Sequence, residues 1–275
     1  MRYATLDIDG SPHVAVEQDG GFALARGGSG RSLSDVLALP EAERDRALEP
    51  GAPAAAGARL LAPLRPVTIV AIGLNYLDHI RETGSAQPER PLVFAKLRTA
   101  VIGPEEPIRI DATVTQQVDW EVELAVVIGR RTRRVRREAA LESVFGYTVA
   151  NDVSARDLQF SDGQWVRGKS LDTFCPLGPV VVGRDDIDGQ AAALRTRVNG
   201  ETVQDSSTAE MLFGIAELIA FCSHSFTLEP GDVILTGTPW GCGAFMDPPR
   251  YLAAGDVVET EVEGIGVLRN PVKSI

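Results

Sequence analysis

The sequence predicts a mixed β protein with few helices, because extended segments far outnumber helical ones along its 275 residues. From Val67 onward, apolar or alternating runs with the features of strands recur at short intervals. They cover residues 68–72, 92–96, 100–102, 121–128, 146–151, 177–182, 193–198, 232–235 and 257–262. Many strands with few helices favour a closed or folded-over sheet architecture over a doubly wound α/β sheet.

The clearest predicted helix covers residues 209–223. Ser207 followed by Glu210 has the pattern of a capping box, which predicts a helix that begins at Ala209. Apolar residues recur at helical spacing through the segment: Met211, Leu212, Ile215, Leu218, Ile219 and Cys222. This stripe is expected to pack against the core.

Residues 1–65 predict a small N-terminal α+β unit, followed by a catalytic domain of residues 66–275. Extended segments at 3–8, 13–17 and 22–25 are separated by glycine-rich turns, and a short polar helix is expected over 33–47. The stretch at 50–57, Pro-Gly-Ala-Pro-Ala-Ala-Ala-Gly, is typical of a linker.

The composition limits the possible functions. A formal net charge of -11 argues against nucleic acid as a partner, because phosphate binding needs a basic face. No apolar run approaches the ~20 residues of a membrane helix, and the first ten residues lack the apolar core of a signal peptide. Cys175, Cys222 and Cys242 are far apart and indicate reduced thiols. These features predict a cytoplasmic protein with no membrane partner.

Two acidic residues open the most apolar predicted strand. Glu121 and Glu123 should point to the same side, roughly 7 Å apart at ~3.3 Å rise per residue. Asp152 follows the next predicted strand. Buried carboxylates this close repel one another and lose hydration, and a divalent cation would relieve both costs. The three therefore predict a Mg²⁺ or Mn²⁺ site, with solvated glutamates on a half-exposed strand as the alternative.

A second pair suggests proton transfer. His79 and Glu82 are three residues apart and could share one face of a helical turn. A carboxylate that orients an imidazole and raises its basicity makes a water-activating pair. The alternative is an ordinary exposed turn, on which polar pairs at this spacing are common.

Two loops have glycine-rich patterns. Residues 163–170, Gly-Gln-Trp-Val-Arg-Gly-Lys-Ser, match the phosphate-loop pattern, but no strand precedes them and no helical period follows. A nucleotide triphosphatase is therefore disfavoured, and Lys169 is expected to face a substrate carboxylate or a developing enolate. In residues 236–241, Thr-Gly-Thr-Pro-Trp-Gly, the glycines could bring backbone N–H groups close to a ligand.

Taken together, these segments resemble the fumarylacetoacetate hydrolase family from about residue 67 to 272. The matching motifs, in the family's order, lie at 73–82, 119–129, 146–157, 168–179, 199–204 and 228–239. The resemblance implies a β-sandwich roll, usually dimeric, with Mg²⁺ or Mn²⁺ held by Glu121, Glu123 and Asp152. It also implies a dyad of His79 and Glu82 on a lid, and substrate contacts from Arg156, Gln159, Lys169 and Thr238.

Two residues depart from the family's pattern. Trp240 and Cys242 follow Thr-Gly-Thr-Pro, where relatives more often carry smaller or plain aliphatic residues. This difference leaves the predicted metal site intact and affects the substrate instead. Trp240 is expected to line the part of the pocket that holds the distal half of the substrate.

The leading predicted function is hydrolysis of a C–C bond in an acylpyruvate-like 2-oxo acid or 1,3-diketone. His79, oriented by Glu82, would deprotonate water, and the cation and Lys169 would hold the leaving enolate. Arg156, Gln159 and Thr238 would hold a substrate oxygen. Decarboxylation of oxaloacetate or isomerisation of a hydroxy-dienedioate would use the same residues. A non-catalytic binding protein is the alternative from another class, although no predicted site residue is missing.

Overall fold

The computed structural model describes all residues from Met1 to Ile275 and confirms a mixed β fold with few helices. The strands are β1 (Arg2–Ile8), β2 (Ser11–Gln18), β3 (Gly21–Ser29), β4 (Pro50–Pro53), β5 (Arg59–Leu61), β6 (Ile69–Gly73), β7 (Leu92–Lys96), β8 (Val101–Ile102), β9 (Ile108–Ile110), β10 (Val118–Asp119), β11 (Val122–Ile128), β12 (Val144–Asn151), β13 (Ser154–Ala155), β14 (Cys175–Gly183), β15 (Ala193–Val198), β16 (Glu201–Ser207), β17 (Val233–Leu235), β18 (Val257–Val262) and β19 (Gly266–Ser274). The helices are α1 (Leu33–Leu37), α2 (Glu41–Ala47), α3 (Leu77–Thr83), α4 (Arg137–Ala140), α5 (Arg156–Ser161), α6 (Val166–Lys169) and α7 (Ile215–Ser225). None of these helices has both the length and the apolar character needed to cross a membrane.

The strands form three sheets. The largest has 12 strands in the order β4-β3-β2-β1-β14-β12-β11-β17-β6-β7, with β5 beside β1 and β8 beside β14. A five-stranded sheet has the order β16-β15-β18-β19-β9, and β10 pairs with β13. Apolar residues of β11, β15 and β18 share one buried cluster with α7, so the core lies between the two larger sheets.

Strand β11 shows why the two glutamates share a side. Val122, Leu124 and Val126 belong to the cluster that contains α7, whereas Ala125 and Val127 belong to a second cluster with N-terminal residues. Successive side chains of a strand alternate between its two faces. Glu121 and Glu123 therefore continue the second face beyond its apolar part.

Residues 1–65 are joined to the rest of the molecule through this sheet. Strand β1 pairs antiparallel with β14, with Arg2 opposite Val182. Val14 and Leu33 share a buried cluster with Val127. The division into domains of residues 1–65 and 66–275 stays a prediction.

Two N-terminal expectations need correction. The predicted helix over 33–47 is two helices, and Pro40 immediately precedes the second. Proline lacks the N–H that a continuous helix would need at that point. The predicted linker at 50–57 begins with β4, which pairs with β3 through Ala23 and Pro53.

The predicted helix over 209–223 begins later, at Ile215. Ser207 caps only a 3₁₀ turn over Thr208–Glu210, and the chain then remains non-helical. Asn75 is responsible, because its backbone carbonyl accepts the N–H of Leu212 at 2.7 Å and its side chain bonds both backbone groups of Phe213. Tertiary hydrogen bonds therefore override the local capping pattern.

Candidate active site

The three acidic residues predicted to hold a cation, Glu121, Glu123 and Asp152, lie together. Each offers a carboxylate oxygen within 4.8 Å of the others, and all three side chains are buried. The pairing of β11 with β12 explains this, because Val122 lies opposite Asn151 and the Asp152 N–H donates to the Glu121 carbonyl at 2.9 Å. We call these three residues the carboxylate cluster; their assignment as metal ligands stays a prediction.

Three buried cations surround the carboxylate cluster. Lys169 Nζ lies 2.7 Å from Glu121 Oε2 and 2.8 Å from Asp152 Oδ2. Arg156 contacts the other Glu121 oxygen at 2.7 Å. Lys96, on β7, contacts Asp152 Oδ1 at 2.5 Å and also donates to the Lys169 carbonyl. The predicted substrate contacts Arg156 and Lys169 are thus also counter-ions in this structure.

Asp119 is a fourth buried carboxylate at the site. It accepts a hydrogen bond from Arg156 Nε at 2.8 Å and the backbone N–H groups of Gly243 and Ala244 at 2.8 and 3.0 Å. Asp119 was not among the site residues predicted from the sequence. Asp119 precedes Glu121 by two residues, so the alternation that predicts a shared side for Glu121 and Glu123 also indicates the same side for Asp119.

The charges of these buried groups do not balance. Four carboxylates, of Asp119, Glu121, Glu123 and Asp152, face three cations, of Lys96, Arg156 and Lys169. Glu123 has no cationic partner and accepts only the Gly237 N–H, at 2.6 Å. Burial, reinforced by the charges of Asp152 and Glu121, raises the pKa of Glu123 well above its usual range. Burial would raise the pKa of Glu121 too, but Lys169 and Arg156 outweigh it and lower that pKa to about 2.

This donor set fits a hard divalent cation. It offers three buried carboxylates, and one of them, that of Glu123, has no protein cation beside it to compensate its charge when it ionises. Carboxylate oxygens suit Mg²⁺ and Mn²⁺, and binding removes the cost of burying an unpaired charge. Glu121, Glu123 and Asp152 are the residues that would hold the cation.

His79 and Glu82 form the predicted dyad on α3. The His79 Nδ1 atom lies 2.7 Å from Glu82 Oε2, and the second Glu82 oxygen accepts the Gly241 N–H at 2.7 Å. No protein group hydrogen-bonds to the other ring nitrogen, Nε2, and His79 lines the cavity described below. The Phe245 ring packs edge-on against the imidazole, with a centroid distance of 5.5 Å.

The loop after β17 connects the two groups. Gly237 and Gly241 have φ values of 98° and 96°, and their N–H groups bind Glu123 and Glu82 respectively. A Cβ atom at Gly241 would collide with the carbonyl oxygen of Val203, so both the backbone angle and the space require glycine. The expected N–H donors exist, and in this structure they bind carboxylates of the site.

Gln204, on β16, positions this loop and was also missed by the sequence analysis. Its Oε1 accepts the Val122 N–H at 3.0 Å, and its Nε2 donates to Thr238 Oγ1 and the Pro239 carbonyl, both at 3.0 Å. A buried glutamine whose amide is fully bonded fixes both neighbours. Gln204 therefore ties the loop to the strand that carries the glutamates.

A cavity of about 230 Å³ adjoins both groups. Its wall includes six residues predicted from the sequence: His79, Glu121, Arg156, Gln159, Lys169 and Thr238. Four aromatic residues, Phe94, Phe160, Trp165 and Phe245, also line it. A groove of about 580 Å³ near the N-terminus is larger, but Asp19 is its only titratable side chain. The site residues predicted from the sequence therefore border the smaller cavity.

Trp240 does not line this cavity, contrary to expectation. Trp240 is 46% exposed, and its indole N–H donates to the Asp205 carbonyl at 3.1 Å. Trp165 lies there instead, packed edge-on against Phe94 at 5.4 Å. Trp165 belongs to residues 163–170, which match the phosphate-loop pattern. Their helix α6 has only four residues and follows α5 rather than a strand.

A family model described as the C-terminal part of fumarylacetoacetate (FAA) hydrolase matches residues 68–273. The chain belongs to the fumarylacetoacetate hydrolase family. It is 49% identical over 217 residues to the mitochondrial oxaloacetate tautomerase fahd2 of Xenopus laevis, covering 78% of this chain and 68% of that protein. It is 46% identical over 216 residues to the mitochondrial oxaloacetate tautomerase FAHD2A of Homo sapiens, covering 77% and 68%.

Solved structures of the family share the whole fold. A fumarylacetoacetate hydrolase from Exiguobacterium antarcticum is 41% identical, with a TM-score of 0.90 over 100% of both chains. A 2-hydroxyhepta-2,4-diene-1,7-dioate isomerase from Mycobacterium marinum is 36% identical, with a TM-score of 0.78 over 100% of this chain and 98% of that one. This chain is therefore a fumarylacetoacetate hydrolase family enzyme.

Proposed function

We propose that this enzyme interconverts the keto and enol forms of a small 2-oxo dicarboxylate of the oxaloacetate class and depends on Mg²⁺ or Mn²⁺. The observation that carries the proposal is the common cavity. It places a candidate base, His79, in the same wall as Glu121 of the carboxylate cluster and the cationic groups of Arg156 and Lys169. Relatives named oxaloacetate tautomerases support this substrate class.

The size and lining of the cavity favour a small anion. Its volume of about 230 Å³ is below the roughly 300–1,000 Å³ of pockets for drug-sized ligands. Arg156 and Lys169 provide positive charge, and Gln159 and Thr238 provide amide and hydroxyl groups. The four aromatic residues give much of the remaining wall an apolar surface. A four-carbon dicarboxylate meets these conditions.

The dyad supplies the proton transfer. With the Nδ1 proton held by Glu82, the neutral imidazole presents its Nε2 lone pair to the cavity. Nε2 takes a proton from the carbon beside the 2-oxo group and returns it to the substrate oxygen. Glu82 stabilises the imidazolium formed in between. A C–H bond is exchanged for an O–H bond and the double bond moves from C=O to C=C, and no bond between carbon atoms is broken.

The remaining residues hold the charge that develops on the substrate. Lys169 and Arg156 border the cavity beside the carboxylate cluster and would orient the substrate carboxylates. Gln204 holds the Thr238 hydroxyl in place through its 3.0 Å hydrogen bond. A divalent cation, when bound, supplies a Lewis acid that lowers the cost of negative charge on the 2-oxo group.

Hydrolysis of a C–C bond in an acylpyruvate is the second candidate. In this reaction the same His79–Glu82 pair would take its proton from a water molecule and not from a substrate carbon. The similarity to the Exiguobacterium antarcticum fumarylacetoacetate hydrolase favours this reaction. The homodimer and the cytoplasmic location expected from the sequence stay predictions.

The two candidates differ in their products. We would supply the protein, with Mg²⁺ or Mn²⁺, with enol-oxaloacetate and separately with acetylpyruvate. Tautomerisation predicts accelerated loss of the enol absorbance and accelerated exchange of C3 protons in D₂O, with no pyruvate or CO₂ formed. Hydrolysis predicts acetate and pyruvate from acetylpyruvate. Pyruvate and CO₂ from oxaloacetate would instead establish decarboxylation.

A matched pair of variants tests the residues. His79→Gln should remove most of the acceleration, whereas His224→Gln should retain it because His224 is exposed at the end of α7. Unchanged activity of His79→Gln would exclude the dyad as the base. If the protein accelerated the reaction of neither enol-oxaloacetate nor acetylpyruvate, both candidate functions would be refuted.

A further inference from the structure

Cys242 lies beside the dyad. Its sulfur, a ring nitrogen of His79 and a carboxylate oxygen of Glu82 are possible metal-ligand atoms, and the three lie within 4.8 Å of one another. The reaction proposed above gives its thiol no task.

Two chain segments bring these donors together. His79 and Glu82 lie on one face of α3, and Cys242 follows the glycine whose N–H binds Glu82. The Cys242 side chain is buried, and its sulfur makes only long contacts, at 3.9 Å, with Gln204 Nε2 and the Pro239 carbonyl. The thiol is therefore held in position without a strong hydrogen-bond partner.

We propose that His79, Glu82 and Cys242 form a second metal site that takes Zn²⁺ or Co²⁺ and inhibits the enzyme. Imidazole nitrogen, thiolate sulfur and carboxylate oxygen are the ligands that Zn²⁺ binds in proteins, often as three ligands with one open position. Bonds of about 2.0–2.3 Å place tetrahedral ligand atoms roughly 3.3–3.8 Å apart. Donors already within 4.8 Å reach that spacing by small side-chain movements.

The two sites differ in the metals they select. The carboxylate cluster offers oxygen donors only, which suit Mg²⁺ and Mn²⁺. The second site includes a thiol and an imidazole, which favour Zn²⁺ over those two ions. An excess of Mg²⁺ should therefore occupy the first site and leave the second available.

Binding at the second site removes the base. The thiol proton leaves to solvent as the thiolate binds. If the metal binds Nδ1 of His79, the imidazole proton moves to Nε2. If the metal binds Nε2, it occupies the lone pair that would otherwise accept the substrate proton. In either case His79 can no longer accept a proton from a substrate. This inhibition rests on the proposed role of His79, whereas the binding itself does not.

Cobalt tests the binding without any assay of activity. We would titrate Co²⁺ into protein held in excess Mg²⁺ and record the near-ultraviolet band of a Co²⁺–thiolate bond. The wild type should show the band, and Cys242→Ala and Cys242→Ser should lose it. Cys222→Ala is the matched control and should keep it, because Cys222 lies buried in α7. No band in the wild type, or an equal band in Cys242→Ala, would overturn the site.

Zinc then tests the inhibition. Cys242→Ala and Cys242→Ser should need at least about tenfold more Zn²⁺ than the wild type for half-inhibition, since losing even a group that only hydrogen-bonds to a metal ligand costs about 10–100-fold in affinity. Equal sensitivity of wild type and variants would mean that Zn²⁺ acts at the carboxylate cluster, and would overturn the inhibitory role. If the protein proved inactive towards oxaloacetate, the cobalt band would still decide the metal site. Circular dichroism of both variants would establish that they fold.

Discussion

The carboxylate cluster and the dyad border the same cavity but are built differently. The carboxylate cluster lies at the ends of two adjacent strands, β11 and β12, and Lys96, Arg156 and Lys169 surround it. The dyad lies on the short helix α3, and its only hydrogen bond with another segment comes from the N–H of Gly241. The carboxylate cluster belongs to a buried charge network in which carboxylates outnumber cations. The dyad is a single hydrogen-bonded pair.

This difference separates two chemical tasks. Paired strands fix acidic groups closely enough to bind a cation, and that cation would compensate Glu123, which no protein cation contacts. A pair on a helical turn leaves one ring nitrogen of His79 without a protein partner, as proton transfer requires. Changes to the first group should affect metal affinity and stability, and changes to the second should affect turnover.

Asp152→Asn should have the largest effect, because Lys96 would lose its only carboxylate partner while remaining buried. Removing one member of a buried ion pair costs about 3–5 kcal/mol. We expect that loss in urea unfolding, together with loss of Mn²⁺ binding in calorimetry. Asp185→Asn is the control, since its side chain is 89% exposed. Unchanged Mn²⁺ affinity in Asp152→Asn would remove Asp152 from the ligand set.

His79→Gln should lower kcat about 10²–10⁴-fold, the range expected when a general base or acid is removed. Its Mn²⁺ affinity should stay within about twofold of the wild type, because the dyad makes no hydrogen bond with the carboxylate cluster. Steady-state kinetics at saturating metal and substrate would measure the first effect, and calorimetry the second. A parallel loss of both would mean that the two groups act as one unit.

At pH values below the raised pKa of Glu123, cation binding should release a proton, because burial keeps that carboxyl protonated there in the metal-free protein. Calorimetry in two buffers of different ionisation enthalpy would count the proton, and Glu123→Gln should eliminate the release.

In the metal-free protein, Glu123 and Glu121 should change the free energy of unfolding with pH in opposite directions. Stability from the protonated Glu123 is lost as pH rises through its raised pKa, whereas stability from Glu121 is lost as pH falls from 4.5 towards about 2.

Replacing the two tryptophans should give the smallest effects. Trp165→Ala should raise KM roughly three- to tenfold, because aromatic contacts contribute about 0.5–1.5 kcal/mol and Trp165 lines the cavity near Lys169. Trp240→Ala should leave KM unchanged, since its side chain lies outside the cavity. The reverse order of effects would show that the substrate extends towards the loop after β17.

The sequence was sufficient for features that depend on spacing along one element. Alternation along a strand predicted that Glu121 and Glu123 share a side, and the spacing of three residues predicted the contact between His79 and Glu82. The same alternation indicated most strands after residue 67, with bounds at 92–96, 193–198 and 257–262 that the structure reproduces. These features follow from the geometry of a single strand or helical turn.

Only the tertiary structure decided which elements meet. Lys96 on β7 reaches Asp152, Cys242 reaches the dyad, and Trp165 rather than Trp240 enters the cavity. Likewise, hydrogen bonds from Asn75 delay the start of α7 until Ile215. The physical reason is that local spacing sets the direction of a side chain relative to its own backbone. Its partners depend on burial and hydrogen bonding between segments far apart in the chain, which no local pattern contains.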